Sequence, residues 1–187
     1  MRVKTCCFID SGIVYINRRK ETQIYDVLES IVVNDGVGTF IFGGRTTFAD
    51  MCLDIVTALK NKYPHITRVR YICGNEAAVL QSKYDRYKGI YMPFEGMSVY
   101  QAIVDKEYRV TPKSVGGPDV YAERDMAMVD NSDICVFYYS DERHMVSQYN
   151  RHEIAFCIED VNCKNIYNHA RQKHKKIINL YKKNDLV

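Results

Sequence analysis

The stretch Thr39-Phe40-Ile41-Phe42-Gly43-Gly44-Arg45-Thr46-Thr47-Phe48-Ala49-Asp50 constrains the fold more than any other part of the sequence. A short apolar run, Phe40 to Phe42, reaches two adjacent glycines. Apolar residues then recur at helical spacing, at Met51, Ile55, Val56 and Leu59. This is the pattern of a strand that feeds a helix through a tight turn. Glycine permits positive φ and lets a ligand reach the backbone with no Cβ in the way. The helix start offers unpaired N–H groups and the positive end of the helix dipole, so an anion, typically phosphate, is its natural occupant.

The same alternation recurs along the chain. Val3 to Ile9 is β-branched and apolar enough for a central strand, and Asp10-Ser11-Gly12 breaks it. After an irregular basic stretch (Asn17-Arg18-Arg19-Lys20), Glu21 to Val33 places Ile24, Val27, Leu28, Ile31 and Val32 on one helical face. Asn34-Asp35-Gly36 ends that helix. The helix after Gly44 is expected to run to Lys62 and to stop at Tyr63-Pro64-His65.

Ile66 to Cys73 alternates as a strand, and Gly74-Asn75 closes it. A short helix over Glu76 to Tyr87, a strand over Gly89 to Phe94 and a helical turn over Val99 to Asp105 follow. Lys106 to Pro118, with its prolines and glycines among charges, is expected to be a loop able to close over a ligand.

Tyr121 to Asn131 is expected as a helix with Met126 and Val129 inward. Ile134 to Tyr139 is a strand, and Ser140 to Ser147 a polar loop. Gln148 to Ala170 is expected as a helix interrupted near Asn162, and Lys175 to Leu180 as the last strand. Strands alternating with helices imply crossover connections and a parallel sheet covered on both faces. The expectation is an α/β fold: one three-layer Rossmann-like domain over residues 1–187 with a mainly parallel sheet. Ligands of such sheets bind beyond the carboxyl ends of the strands.

Composition sets the class. Of 187 residues, 47% are hydrophobic and 26% charged, as in an ordinary globular protein, and the net charge of +3 does not call for nucleic acid. Seven cysteines, with no Cys-x-x-Cys pair, suggest buried reduced thiols rather than a redox or zinc motif. With no signal-peptide pattern and no apolar run of membrane-spanning length, a cytoplasmic protein without a membrane partner is expected.

The motif order resembles the YpsA-like branch of the SLOG superfamily, a group of Rossmann-like nucleotide-binding domains related to LOG and DprA/SMF domains. The similar segments are Lys4-Thr5-Cys6-Cys7-Phe8, Phe40-Ile41-Phe42-Gly43-Gly44, Leu59-Lys60-Asn61-Lys62-Tyr63-Pro64-His65-Ile66 and Lys176-Ile177-Ile178-Asn179-Leu180. Arg124 to Asp133 is a further match, strongest over Met128-Val129-Asp130-Asn131-Ser132-Asp133. The resemblance implies a cleft for nucleotides or ADP-ribose-like molecules. Related LOG enzymes cleave the N-glycosidic bond of nucleoside monophosphates.

Three departures qualify this. Ile9-Asp10-Ser11-Gly12 replaces the family's Thr-Gly-His-Arg, and Thr47-Phe48-Ala49 stands where Gly-Phe-Asp is usual. The stretch from Ser140 to Glu153 lacks the second glycine-rich loop altogether. A loop without glycine does not wrap a phosphate with its backbone in the usual way.

The candidate ligand-binding residues are therefore Asp10, Ser11, Gly43, Gly44, Arg45, Thr46, Thr47 and Arg124. Gly43 and Gly44 either cradle a phosphate or allow close helix–sheet packing, and the resemblance favours the ligand. Thr46 and Thr47 add hydroxyl donors. Arg45 either clamps a phosphate or is solvated. Asp10 either accepts from a ribose hydroxyl or, with Ser11, forms a turn. Asp130 and Asp133 are expected to be structural, and Arg124 a ligand contact.

Glu153 is the one carboxylate that aligns with the glycosidase glutamate, and an exposed helical glutamate is the preferred reading of it. Tyr138, Tyr139 and Tyr149 lie where they could stack on a base. No metal site or firm cofactor is assigned; of the His and Cys residues of the last third, His169-x₄-His174 alone approaches paired ligand spacing, and buried thiols with surface imidazoles are the preferred reading. The leading expectation is a nucleotide-type sensor or binding module, possible as a homodimer. The alternatives are a nucleotide N-glycosidase and a degenerate scaffold acting through protein contacts.

Overall fold

The computed structural model describes residues 2–11, 18–44, 46–73, 104–113, 118–140 and 151–181, and for 18, 118 and 151–161 the backbone alone. The order of elements is β1 (Lys4–Asp10), α1 (Arg18–Val33), β2 (Val37–Phe42), α2 (Thr47–Lys62), β3 (Thr67–Cys73), β4 (Lys106–Val110), α3 (Pro118–Asp130), β5 (Ile134–Tyr138), α4 (Arg151–Gln172) and β6 (Lys176–Asn179). The six strands form one sheet in the order β4-β3-β2-β1-β5-β6, and every neighbouring pair is parallel. This is the α/β, Rossmann-like, three-layer arrangement that alternating apolar runs and amphipathic stretches imply.

Right-handed crossovers decide which helix covers which face. From β1 the chain steps outward to β2 and β3, so α1 and α2 share one face. It then returns across the sheet to β5 and steps the opposite way to β6, so α3 and α4 share the other. The two apolar cores divide accordingly. Cys6, Phe8, Phe40, Phe42, Ile134 and Val136 pack under Ile24, Leu28, Leu53, Val56 and Leu59 of α1 and α2. The intervening strand residues Cys7, Ile9, Ile41, Cys135 and Phe137 pack under Met128 and Val129 of α3 and Cys163, Ile166 and Ala170 of α4. Period-two alternation along each central strand feeds both layers. Phe8 stacks on Phe42 at 4.9 Å and on Phe40 at 6.0 Å, and each such buried ring contributes about 1.5–3 kcal/mol.

Several boundaries correct the sequence reading. The basic residues 18–20 are not irregular but form the first turn of α1. Lys106–Val110, expected as a loop closing over a ligand, is strand β4 at the sheet edge. Its side chains are mostly exposed, so it lacks the apolar alternation that marks an inner strand. It is held by its ladder to β3 and by Tyr108, whose ring lies 4.7 Å from that of Tyr71. Helix α3 begins at Pro118, where a fixed φ and a missing N–H are tolerated, and its fully buried methionine is Met128 rather than Met126. Helix α4 runs through Asn162 without a break. The helix and strand expected over Glu76 to Phe94 lie outside the described residues, as does most of the turn expected over Val99 to Asp105. Among the described residues no helix is long and apolar enough to cross a membrane.

Candidate functional site

Strand order reverses at β1, which lies between β2 and β5. In an open parallel sheet the crevice at such a reversal, beyond the carboxyl ends of the strands, is where ligands seat. Asp10 is the last residue of β1 and Tyr138 of β5 is its register partner. Gly43 and Gly44 follow the neighbouring β2, and Thr46 begins the turn into α2.

Thr46 joins these parts. Its backbone is extended, at φ −115 and ψ 160, as an N-cap requires, and its Oγ1 accepts from the Ala49 N–H at 3.1 Å. The same hydroxyl donates to Asp10 Oδ2 at 2.6 Å. One side chain thus satisfies a first-turn amide of α2 and ties the helix start to the end of β1. The Asp50 N–H closes the first turn onto the Thr46 carbonyl at 2.9 Å. The amides of Thr47 and Phe48 are the remaining first-turn donors, which by helix geometry have no carbonyl within the helix to bond. The Asp10 carboxylate faces the positive end of α2, a favourable placement that also takes up part of the field a phosphate would use.

Arg124 approaches from the opposite face of the sheet, on α3. It is 5% exposed, its Nε donates to Asp125 Oδ1 at 2.8 Å, and its guanidinium carbon lies 5.4 Å from the centre of the Tyr121 ring. The guanidinium packs where side chains at the glycine pair would be. A β-carbon on Gly44 would stand 3.0 Å from Arg124 Nη2, and one on Gly43 would stand 2.9 Å from Arg124 Nε and 2.7 Å from Met128 Sδ. Close packing is therefore one reason for both glycines. It also sets a cation against the backbone at the mouth of the crevice.

Asp10, Thr46, Gly43, Gly44 and Arg124 thus gather at one end of the sheet. Ser11, half-buried, follows Asp10, and Thr47 is the exposed first residue of α2. Arg45 and Tyr149 lie outside the described residues. Glu153 is in the first turn of α4, and its side chain lies outside the description.

Asp130 and Asp133 are at the opposite end of the sheet, where they make structural bonds. Asp133 Oδ2 accepts from the Thr5 N–H of β1 at 2.9 Å, and Asp130 Oδ1 lies 2.9 Å from His169 Nε2. The rings of Tyr138 and Tyr139 do not stand open to stack on a base. Tyr138 is buried against Phe48 and Tyr181, and Tyr139 against Tyr167.

Cys6, Cys7 and Cys52 supply no nucleophile here. Burial, reinforced by neighbouring charge, pushes the Cys6, Cys7 and Cys52 thiols well above their ordinary range, and they remain protonated at neutral pH. For Cys52 the second cause is the Asp10 carboxylate. Among the described residues no group of three or more His, Cys, Asp or Glu side chains could hold a metal ion.

Sequence reasoning missed Lys20. It is 6% exposed in the first turns of α1, its Nζ donates to the Leu180 carbonyl at 2.9 Å, and it lies 5.5 Å from the centre of the Tyr138 ring. The basic run at residues 18–20 resembles a solvated loop, and nothing local marks Lys20 as a residue that turns inward. Asp125 was also missed, because its role depends on Arg124 being folded back onto β2.

The arrangement offers a carboxylate to accept from hydroxyl groups, helix amides to donate to an anion and a guanidinium beside a glycine backbone. In comparisons with known proteins, no family model matches the chain and no curated protein aligns with it significantly.

Proposed function

We propose that this protein is a binding module for a nucleotide or ADP-ribose-type ligand, seated at the carboxyl ends of β1 and β2. The observation that carries this reading is the convergence of Asp10, Thr46, Gly43, Gly44 and Arg124 where the strand order reverses. In this reading the sugar hydroxyls donate to Asp10. The phosphate takes donors from the start of α2 and the charge of Arg124, which offsets the repulsion from Asp10. The resemblance to the YpsA-like branch supports the same ligand class.

The test is a thermal-shift screen against nucleoside monophosphates, ADP-ribose, cyclic ADP-ribose isomers and NAD, repeated on Gly44→Asp and Arg124→Lys. A ligand at a hundredfold its dissociation constant adds about 2.7 kcal/mol of stability. The expected result is a hit that both variants weaken. A folded protein that no compound shifts would overturn the reading and favour a scaffold acting through protein contacts.

An N-glycosidase is the second reading, because Glu153 falls in the first turn of the helix that follows β5, on the crevice side of the sheet. It predicts release of free base from a nucleoside monophosphate. A Glu153→Gln variant with undiminished turnover would remove that role.

A further inference from the structure

The outer edge of β4 carries a pattern that the crevice does not use. β4 ends the sheet beyond β3, and among the described residues no strand pairs with its far side. The direction of its backbone groups follows from its start. Arg68 of β3 donates its N–H to Asp105 Oδ2 at 2.8 Å, and its carbonyl accepts from the Asp105 N–H at 2.9 Å. Both backbone groups of Arg68 therefore face β4, as do those of Arg70 and Ile72, the next alternate residues. In the register that pairs Val69 with Lys106, the N–H and C=O groups of Lys106, Tyr108 and Val110 turn back to β3. Those of Glu107 and Arg109 point outward.

The side chains along this edge are open as well. Lys106, Glu107, Tyr108 and Arg109 are exposed, Tyr108 by 53%. Glu107 and Arg109 share one face of the strand, and among the described residues neither takes part in an ion pair. Tyr108 lies on the other face, with its ring 4.7 Å from that of Tyr71.

We propose that β4 is an interface for a second copy of this chain, pairing with the partner's β4 antiparallel about a two-fold axis at Tyr108. Glu107 then stands opposite the partner's Arg109, and Arg109 opposite the partner's Glu107. These are the residues whose backbone groups point outward, so each pair exchanges both N–H···O=C bonds while its side chains join opposite charges. Tyr108 faces the partner's Tyr108 in the closer, non-hydrogen-bonded position, where an aromatic pair packs best. The two sheets become one continuous sheet, and the contact closes on itself.

Charge on an edge strand commonly discourages pairing, and scattered lysines would explain that alone. It would not explain an acid and a base placed symmetrically about an exposed tyrosine. The order of charges also selects the register. A two-fold axis at Glu107 would set two carboxylates face to face, and one at Arg109 two guanidinium groups. The axis at Tyr108 sets unlike charges together on both sides.

The test is sedimentation equilibrium of the full chain from micromolar to millimolar concentration, on the parent protein and on Glu107→Arg and Arg109→Glu. The parent is expected to dimerise with concentration. Each single reversal sets like charges opposite each other twice, and is expected to weaken the dimer about tenfold or more. Both substitutions are at exposed positions, and a matching melting temperature shows that each variant is folded. An equimolar mixture of the two variants is expected to recover the dimer, because one chain then offers arginine at both positions and the other glutamate. A parent that stays monomeric throughout would overturn the proposal. So would single variants that dimerise as well as the parent, or a mixture that fails to recover association. None of these outcomes bears on the nucleotide reading, which is tested at Gly44.

Discussion

At Gly43 a β-carbon would meet Met128 Sδ at 2.7 Å and Arg124 Nε at 2.9 Å, and Met128 is fully buried. Gly43→Ala is therefore expected to destabilise the fold by about 1–3 kcal/mol in urea unfolding, through overpacking. Gly44→Ala should be milder, because its nearest neighbour is the far end of a long side chain that can shift. Equal losses at both positions would contradict this packing. Thr46→Ala removes the N-cap and the bond to Asp10, with an expected loss of about 1 kcal/mol that Thr46→Ser restores. The glycine pair and Thr46 were legible in the sequence, because strand, turn and cap are local signals. The setting of Arg124 was not. Its identity pointed to a ligand contact, but its approach to Gly44 depends on α3 crossing the sheet, which no local pattern encodes.

Two elements carry tests of their own. Helix α4 ends with His174 at φ 52, the left-handed conformation that glycine adopts most readily. The His174 N–H bonds to the Arg171 carbonyl and the Lys175 N–H to that of Ala170, each at 3.0 Å, so the turn is imposed by the helix end. His174→Gly should raise stability by about 0.5–1 kcal/mol, read as a higher melting temperature. At the start of β4, Asp105 accepts from Arg68 Nη2 at 3.0 Å, from the Arg68 backbone N–H at 2.8 Å and from Lys60 Nζ at 2.8 Å. Arg68, foremost, holds the Asp105 carboxyl well below the ordinary range. A depressed carboxylate gives its full contribution above the unfolded value of about 3.9 and loses it as pH falls below that. Asp105→Asn should thus cost about 1–2 kcal/mol at neutral pH. That difference from the parent protein should shrink steadily in acid; a constant difference would contradict it. The same element shows why an edge strand evades sequence reading. Lys106–Val110 needs no apolar face, because its partner strand and one tyrosine contact hold it, and its charges resemble those of a loop.

Across the whole sheet the two ends are built differently. At the amino end, aspartates fasten neighbouring elements: Asp133 to β1, Asp105 to β3 and α2, and Asp35 to Lys176 of β6 at 2.6 Å. At the carboxyl end, β1 and β2 finish instead in Asp10 and the glycine pair, with Arg124 laid over them. Fastening at one end leaves the other to vary in chemistry on a fixed frame. The α/β class and parallel sheet were legible from alternating periods. The reversal at β1 emerges only from pairing, since Ile134 to Tyr138 carries no mark that sends it to the far side of β1.

The most direct test of the nucleotide site is an NMR titration with AMP and ADP-ribose, following the Gly44 amide and the Arg124 Nε–H together. Binding at the proposed site predicts that both signals move saturably, with one dissociation constant. A ligand that binds while both signals stay in place would contradict it, and so would the absence of binding by either compound.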